Sequence, residues 1–165
     1  MVVAVSDRLA FLSHSVASMI SSFSARSSVS IATCSLGAAK ACYDLARDYT
    51  KTRRQFGHPL SANQSVAFTL ADMATDVYMS RLGIRDAARM LDEGHPAAAV
   101  ACASAKKFAT DRGFGVCNTA LQLHGGYGYL RDYPIERFVR DTRVHQILEG
   151  TNQIMNVVIS RAALA

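Results

Sequence analysis

Residues 29–54 read VSIATCSLGAAKACYDLARDYTKTRR, and this stretch decides the fold. Val29, Ala32, Leu36, Ala39, Tyr43 and Ala46 recur at three- and four-residue spacing, the period of one helix face. Ile31, Ala38, Cys42, Leu45 and Tyr49 draw a second apolar stripe. A helix apolar on two sides packs between neighbours, so a helical core is expected around it. Phe56-Gly57-His58-Pro59 breaks the period, which sets the helix end near residues 51–54.

The flanking segments agree. Ser61-Ala62-Asn63-Gln64 has the form of a capping box, opening a second helix. Val66, Leu70, Met73, Val77, Ile84, Ala88 and Leu91 carry that helix to the stop at Asp92-Glu93-Gly94-His95-Pro96. A third helix is expected over 97–123, crowded with Ala, Ser, Cys and Gly so that neighbouring backbones can approach. The glycine-rich His124-Gly125-Gly126-Tyr127-Gly128-Tyr129 reads as a loop. A short helix over 134–143, with Pro134 in its first turn, and a last helix from Thr151 through Ile154, Val158 and Ala162 complete the chain. No alternating segment competes for a strand. The fold class is all-α, an up-and-down helical bundle in one domain.

Composition narrows the function. The chain has 165 residues, half of them apolar, which supports a core and excludes global disorder. Ten Gly and three Pro argue against a turn-rich β-sandwich. The net charge of +5 is scattered, with no basic recognition helix or aromatic platform, so no nucleic acid is expected as partner. The longest uncharged run, residues 9–25, carries five serines before Ser24 and a histidine, so no membrane span is expected. Cys34, Cys42, Cys102 and Cys117 show no zinc-type spacing. They read as four buried, reduced thiols, and no metal is expected. Residues 1–27 stand apart from 28–165: the first 28 residues hold nine serines, two arginines and one acid. That makeup suits a transit-like segment or an added first helix.

Three features exceed what a plain bundle needs. Arg53-Arg54-Gln55-Phe56-Gly57 puts planar cations at a helix end, suited to phosphate or to the helix dipole. Gln122 with His124-Gly125-Gly126 offers backbone N–H groups to a ligand, or a helix C-cap and tight turn. Val144-His145-Gln146-Ile147-Leu148-Glu149-Gly150-Thr151 sets one carboxylate after an apolar pair. In an apolar pocket that acid is a base near neutral pH; beside a helix start its pKa falls instead. His145, without metal partners, reads as structural.

In this order, with Asn63-Gln64, Leu70-Ala71-Asp72-Met73 and Arg140-Asp141 between them, RRQFG, LQLHGGYGYLRDY and RVHQILEGTNQIM resemble the acyl-CoA dehydrogenase family over its C-terminal helical domain. The resemblance implies FAD-dependent α,β-dehydrogenation of a short or branched-chain acyl-CoA. It implies Glu149 as the base that takes the α-proton, with Gly150 against the substrate. It implies Arg53, Phe56, Gln64, Gln122, Gly125 and Gly126 as contacts to the FAD of a neighbouring subunit. Thr151 and Gln153 would touch the same subunit's FAD. It further implies a homo-oligomer, dimer or tetramer, an electron-transferring flavoprotein as acceptor, and the mitochondrial matrix, otherwise the cytoplasm, as location.

Two departures accompany it. The family places an N-terminal helical domain and a middle β-domain before this one, and residues 1–27 resemble neither. The isolated chain is therefore expected not to turn over, and to expose apolar surface where those domains would pack. Ser28 stands near a position where the family often carries arginine. The alternative to an enzyme is a non-catalytic module that keeps the fold and serves oligomerisation.

Overall fold

The helical periods are realised in a computed structural model that describes residues 24–165 in full and, for residues 3–23, the path of the backbone. Among the described residues there are five α-helices: α1 (Val3–Thr52), α2 (Gln64–Asp92), α3 (Ala98–His124), α4 (Ile135–His145) and α5 (Asn152–Ala163). α1 runs on without a break from the Ser-rich segment into the stretch that defines the fold.

Two apolar clusters fix the topology. One joins Ala38 and Ala46 of α1 to Met73 and Val77 of α2 and to Val116 and Ala120 of α3. The other joins Ala32 of α1 to Ile84 and Ala87 of α2 and to Cys102 and Ala109 of α3. Ascending α1 thus means descending α2 and ascending α3, an up-down-up arrangement with α3 against both neighbours. The last two helices share the fourth column. Ile135, at the start of α4, lies in the first cluster. Further down, His145 meets Ser35 and Gln146 meets Asp111. α5 continues the descent, with Asn152 against Thr110 and Met155 in a hollow with Ala99 and Ala103. The bundle is therefore four columns, and its fourth is broken between Gln146 and Asn152.

Small residues let the columns close up. A Cβ built on Gly113 of α3 would lie 3.1 Å from the Ser35 carbonyl oxygen and 3.2 Å from its Cβ. Backbone meets backbone there, and α1 has no flexible side-chain tip to yield. Gly113→Ala is expected to lower stability by about 1–3 kcal/mol through overpacking, outweighing its gain in helix propensity. Gly115→Ala, with nothing within 4 Å of the added carbon, is expected to raise it by about 0.5–1 kcal/mol. Urea unfolding of both variants checks the pair; equal effects would mean the approach of α1 to α3 is not tight.

Four local expectations need correction. The capping box is not formed. Leu60–Ala62 wind into a 3-10 turn, which displaces Ser61, and Asn63 becomes the N-cap with no side-chain cap hydrogen bond. The segment after α1 also contains a short antiparallel pairing, β1 (Arg54–Gln55) with β2 (His58–Pro59). Its two-residue turn needs positive φ at both centres, met by Phe56 at 52° and Gly57 at 87°. The glycine-rich loop is wound into a 3-10 helix, Gly125–Tyr129. Only Gly125 there takes positive φ, at 58°. Gly128 is needed for space instead, because a Cβ would stand 3.0 Å from the Leu121 carbonyl oxygen. Finally, the four thiols are free but not all buried: Cys34 faces outward from α1.

Candidate functional site

The C-terminal end of α1 and the C-terminal end of α3 enclose a cleft of about 500 Å³. Arg53, Gln122, Gly125 and Gly126 all line it, with Tyr49, His124 and Tyr127 among its walls. Tyr49 stacks on His124 with ring centroids 4.2 Å apart. The Arg53 guanidinium lies over the Tyr127 ring at 5.4 Å, a cation held against an aromatic face. Among the described residues Arg53 makes no ion pair, so its charge is available to an anion. Nothing stands within 4 Å of a Cβ built on Gly125 or Gly126, which leaves their backbone approachable. A planar, phosphate-bearing ligand suits this combination of cation, aromatic wall and bare backbone. Phe56 and Gln64 are not in the lining. Phe56 sits at the hairpin tip, 93% exposed, and Gln64 is exposed at the start of α2.

The second constellation is the break between α4 and α5. Glu149 and Gly150 are both left-handed, with φ 54° and 90°. For a residue with a Cβ this conformation costs about 1–2 kcal/mol, so the turn must be held from outside. Three donors hold it through five hydrogen bonds. The Asn152 N–H donates to the Gln146 carbonyl at 3.0 Å, closing the turn. The Lys106 ammonium donates to the Gly150 carbonyl at 2.6 Å and to Asn152 Oδ1 at 2.8 Å. Asn152 Nδ2 donates to Asp111 at 2.7 Å and to Thr110 at 2.9 Å. Thr151 caps α5, its hydroxyl accepting from the Ile154 N–H at 3.3 Å, and Gln153 is exposed beside it. Of the two environments open to Glu149, an apolar pocket or a helix start, the described residues do not make the apolar pocket. The carboxylate is exposed, and so are Ile147 and Leu148, because the turn packs only on its Lys106 side.

The two constellations do not meet within one chain. Lys106 anchors the Glu149 turn and Gln122 lines the cleft, and about 24 Å of α3 separates them at 1.5 Å per residue. Ser28 is buried at a hollow with Ala99 and Ala103, away from both.

Lys106 is the buried anchor of this turn that the sequence reading missed. It is fully buried, and burial pulls its pKa below the usual lysine value while Asp111 opposes that shift. A signal was available: Lys106 falls on the stripe of Cys102, Ala109, Gly113, Val116 and Ala120, where a charge is anomalous. Among the described residues no cluster of His, Cys, Asp and Glu could hold a metal, and no helix is long and apolar enough to cross a membrane.

Two histidines brace these sites. His124 is buried and bonds the Ala120 carbonyl through Nδ1 at 2.8 Å; His145 Nδ1 meets Ser35 Oγ at 2.8 Å. Burial lowers the pKa of both. The unfolded chain then binds more protons than the native one as pH falls below about 6.5. Stability is expected to drop through that window, by at most about 1.4 kcal/mol per pH unit for each histidine. Unfolding free energies at pH 7.5 and 5.5 check the sign, and His124→Asn should flatten the difference.

Residues 18–164 match the family described as acyl-CoA dehydrogenase, C-terminal domain. The mitochondrial isobutyryl-CoA dehydrogenase of Bos taurus is 57% identical over 136 residues, covering 82% of this chain and 33% of the relative. Butyryl-CoA dehydrogenase from Megasphaera elsdenii superimposes with a TM-score of 0.85 at 38% identity, over 89% of this chain and 38% of that one. A chain from the structure described as the electron transferring flavoprotein of Acidaminococcus fermentans gives 0.81 at 43% identity, over 83% and 36%. The chain spans about one third of the length of the curated relatives it matches.

Proposed function

This chain belongs to the acyl-CoA dehydrogenase family, as its C-terminal domain, and on that premise we propose that it serves an FAD-dependent dehydrogenase of short or branched-chain acyl-CoA thioesters. The observation that carries the reading is Glu149, an exposed acid with no ion pair among the described residues, held in a left-handed turn where the fourth column breaks. A strained, externally braced residue at an open face is placed for a ligand rather than for packing. Glu149 takes the proton α to the thioester, and Gly150 lies against the acyl group. Bound flavin supplies the two-electron acceptor for the β-hydride. The dry surroundings that raise a carboxylate's basicity come from the domains that precede this one in the family, closing over Ile147 and Leu148.

The cleft at the other end of α3 takes the dinucleotide portion of a neighbouring subunit's FAD. Arg53 meets its phosphates, Gln122, Gly125 and Gly126 line its path, and Phe56 and Gln64 reach it from the exposed hairpin side. Thr151 and Gln153 face the flavin of their own subunit. The assembly is a homo-oligomer, dimer or tetramer, passing electrons to an electron-transferring flavoprotein, in the mitochondrial matrix; the bovine relative's name, which says mitochondrial, supports the organelle. One observation favours a second reading, a non-catalytic oligomerisation module: Phe56, Phe68, Tyr78 and Tyr129 are 93, 61, 59 and 72% exposed.

The test replaces the matching C-terminal third of bovine isobutyryl-CoA dehydrogenase with residues 28–165. The fusion is expected to purify yellow and to oxidise isobutyryl-CoA with an artificial acceptor, whereas the 165-residue chain alone does neither. A folded, oligomeric, colourless and inactive fusion would establish the module instead.

A further inference from the structure

We propose that Lys106 is the positioning residue of the Glu149 base: its buried ammonium locks the left-handed turn by gripping the Gly150 carbonyl and the Asn152 side chain. The reaction assigned to Glu149 rests on the function proposed above, whereas the lock itself is a property of this chain.

A lysine with no exposed surface is costly, since its charge leaves water. It persists in α3 only if its hydrogen bonds do something a Leu or Met could not. Every acceptor it reaches belongs to the broken fourth column. The Gly150 carbonyl lies 2.6 Å away and Asn152 Oδ1 2.8 Å away. Asp111, one turn further along α3, balances the charge and fastens the same column twice, through Gln146 Nε2 at 2.8 Å and Asn152 Nδ2 at 2.7 Å. Gln146 and Asn152 are the two ends of the turn, and the Asn152 N–H closes it onto the Gln146 carbonyl. Lys106 and Asp111 therefore clamp both ends of the loop that carries Glu149.

Geometry makes the clamp necessary. With Gly150 at φ 90° the backbone leaves the helical path, and among the described residues no backbone N–H of the fourth column reaches the Gly150 carbonyl. The Lys106 Nζ is the donor that satisfies it. Once that carbonyl is fixed, the peptide plane between Gly150 and Thr151 is fixed, and with the Asn152 N–H closed onto the Gln146 carbonyl the turn that holds Glu149 at φ 54° is pinned on its C-terminal side. Charge-assisted hydrogen bonds are about twice as strong as neutral ones, which suits a group that must offset backbone strain. A base misplaced by about 1 Å loses on the order of a hundredfold in rate, so the clamp sets the speed of proton removal without touching the substrate.

Lys106→Met keeps the length and packing of the side chain and removes its donors; Lys106→Gln keeps a shorter donor. Thr142→Val serves as the structural control, because the buried Thr142 hydroxyl bonds the carbonyls of Phe138 at 2.7 Å and Val139 at 3.4 Å within α4 and faces Cys117 of α3, away from the turn at 147–152. In the full 165-residue chain, amide hydrogen exchange at residues 147–152 is expected to accelerate about a hundredfold or more in Lys106→Met, less in Lys106→Gln and not in Thr142→Val. In the fusion with the bovine relative, Lys106→Met should lower kcat about thirtyfold or more, with KM and flavin content within about threefold of the unsubstituted fusion. Unchanged exchange at 147–152 in a folded Lys106→Met chain overturns the lock. So does equal loss of kcat in Thr142→Val, or kcat retained in Lys106→Met. Should Lys106→Met fail to fold, Lys106→Gln decides by the same two readouts. If the unsubstituted fusion is itself inactive, the dehydrogenase reading fails and the exchange result alone decides the lock.

Discussion

Glu149→Gln in the fusion is expected to abolish turnover, by about a thousandfold, with flavin content, oligomeric state and melting temperature unchanged. The size follows from what is removed. An α-proton beside a thioester is weakly acidic, and a placed base contributes about 10²–10⁴ in rate. The silence of the other readouts follows from the structure. Glu149 is exposed and, among the described residues, its carboxylate makes no hydrogen bond or ion pair, so Gln breaks nothing in the fold. Backbone strain is the same for either side chain. Glu149→Asp separates position from chemistry: it keeps the acid but withdraws it by one methylene, and about a hundredfold loss is expected. If Glu149→Gln retained a tenth of the activity, another group would be the base, and the turn at the break would lose its purpose.

The columns were legible because each repeats its apolar period over many turns. α1, α2 and α3 carry their stripes across residues that end up in two shared clusters, and periodicity located α2, α3 and the end of α1 within about two residues, whereas α1 begins at Val3, well before the stripe that starts at Val29. The cleft residues Arg53, Gln122, Gly125 and Gly126 were legible as types at a helix end and a glycine turn, and the structure brings them into one wall. What stayed hidden depended on contacts distant in sequence. That α4 and α5 are one column broken in two is visible only through Asp111, which touches both sides of the break. The grip of Lys106 on Gly150 joins residues 44 positions apart: the apolar stripe of α3 marks Lys106 as anomalous, but no local pattern names its partner. The capping box failed for the opposite reason. Ser61 and Gln64 have the right types at the right spacing, but the 3-10 turn at Leu60–Ala62 takes the backbone past the point where they could close.

Mixing two inactive fusions is expected to restore about a quarter of full activity, provided one carries Arg53→Ala and the other Glu149→Gln. The reasoning starts from the separation along α3. A single chain holds its acid at Lys106 and its cation at the far end of the same helix. Under the function proposed above, each site takes Glu149 from one subunit and Arg53 from its neighbour. In a randomly mixed population half the sites own an intact Glu149, and half of those face a neighbour with an intact Arg53. The other half of the sites are dead whatever stands opposite. Arg53→Ala by itself should lose flavin, because the cation over Tyr127 is replaced by nothing that can meet a phosphate. Co-expression of differently tagged subunits, followed by assay of each purified mixture, reads the result. Recovery near a quarter means the dinucleotide is held across the subunit boundary. No recovery from well-mixed oligomers means Arg53 and Glu149 act in one chain, or that the cleft binds something other than the flavin that Glu149 serves, and either overturns the assignment across the subunit boundary.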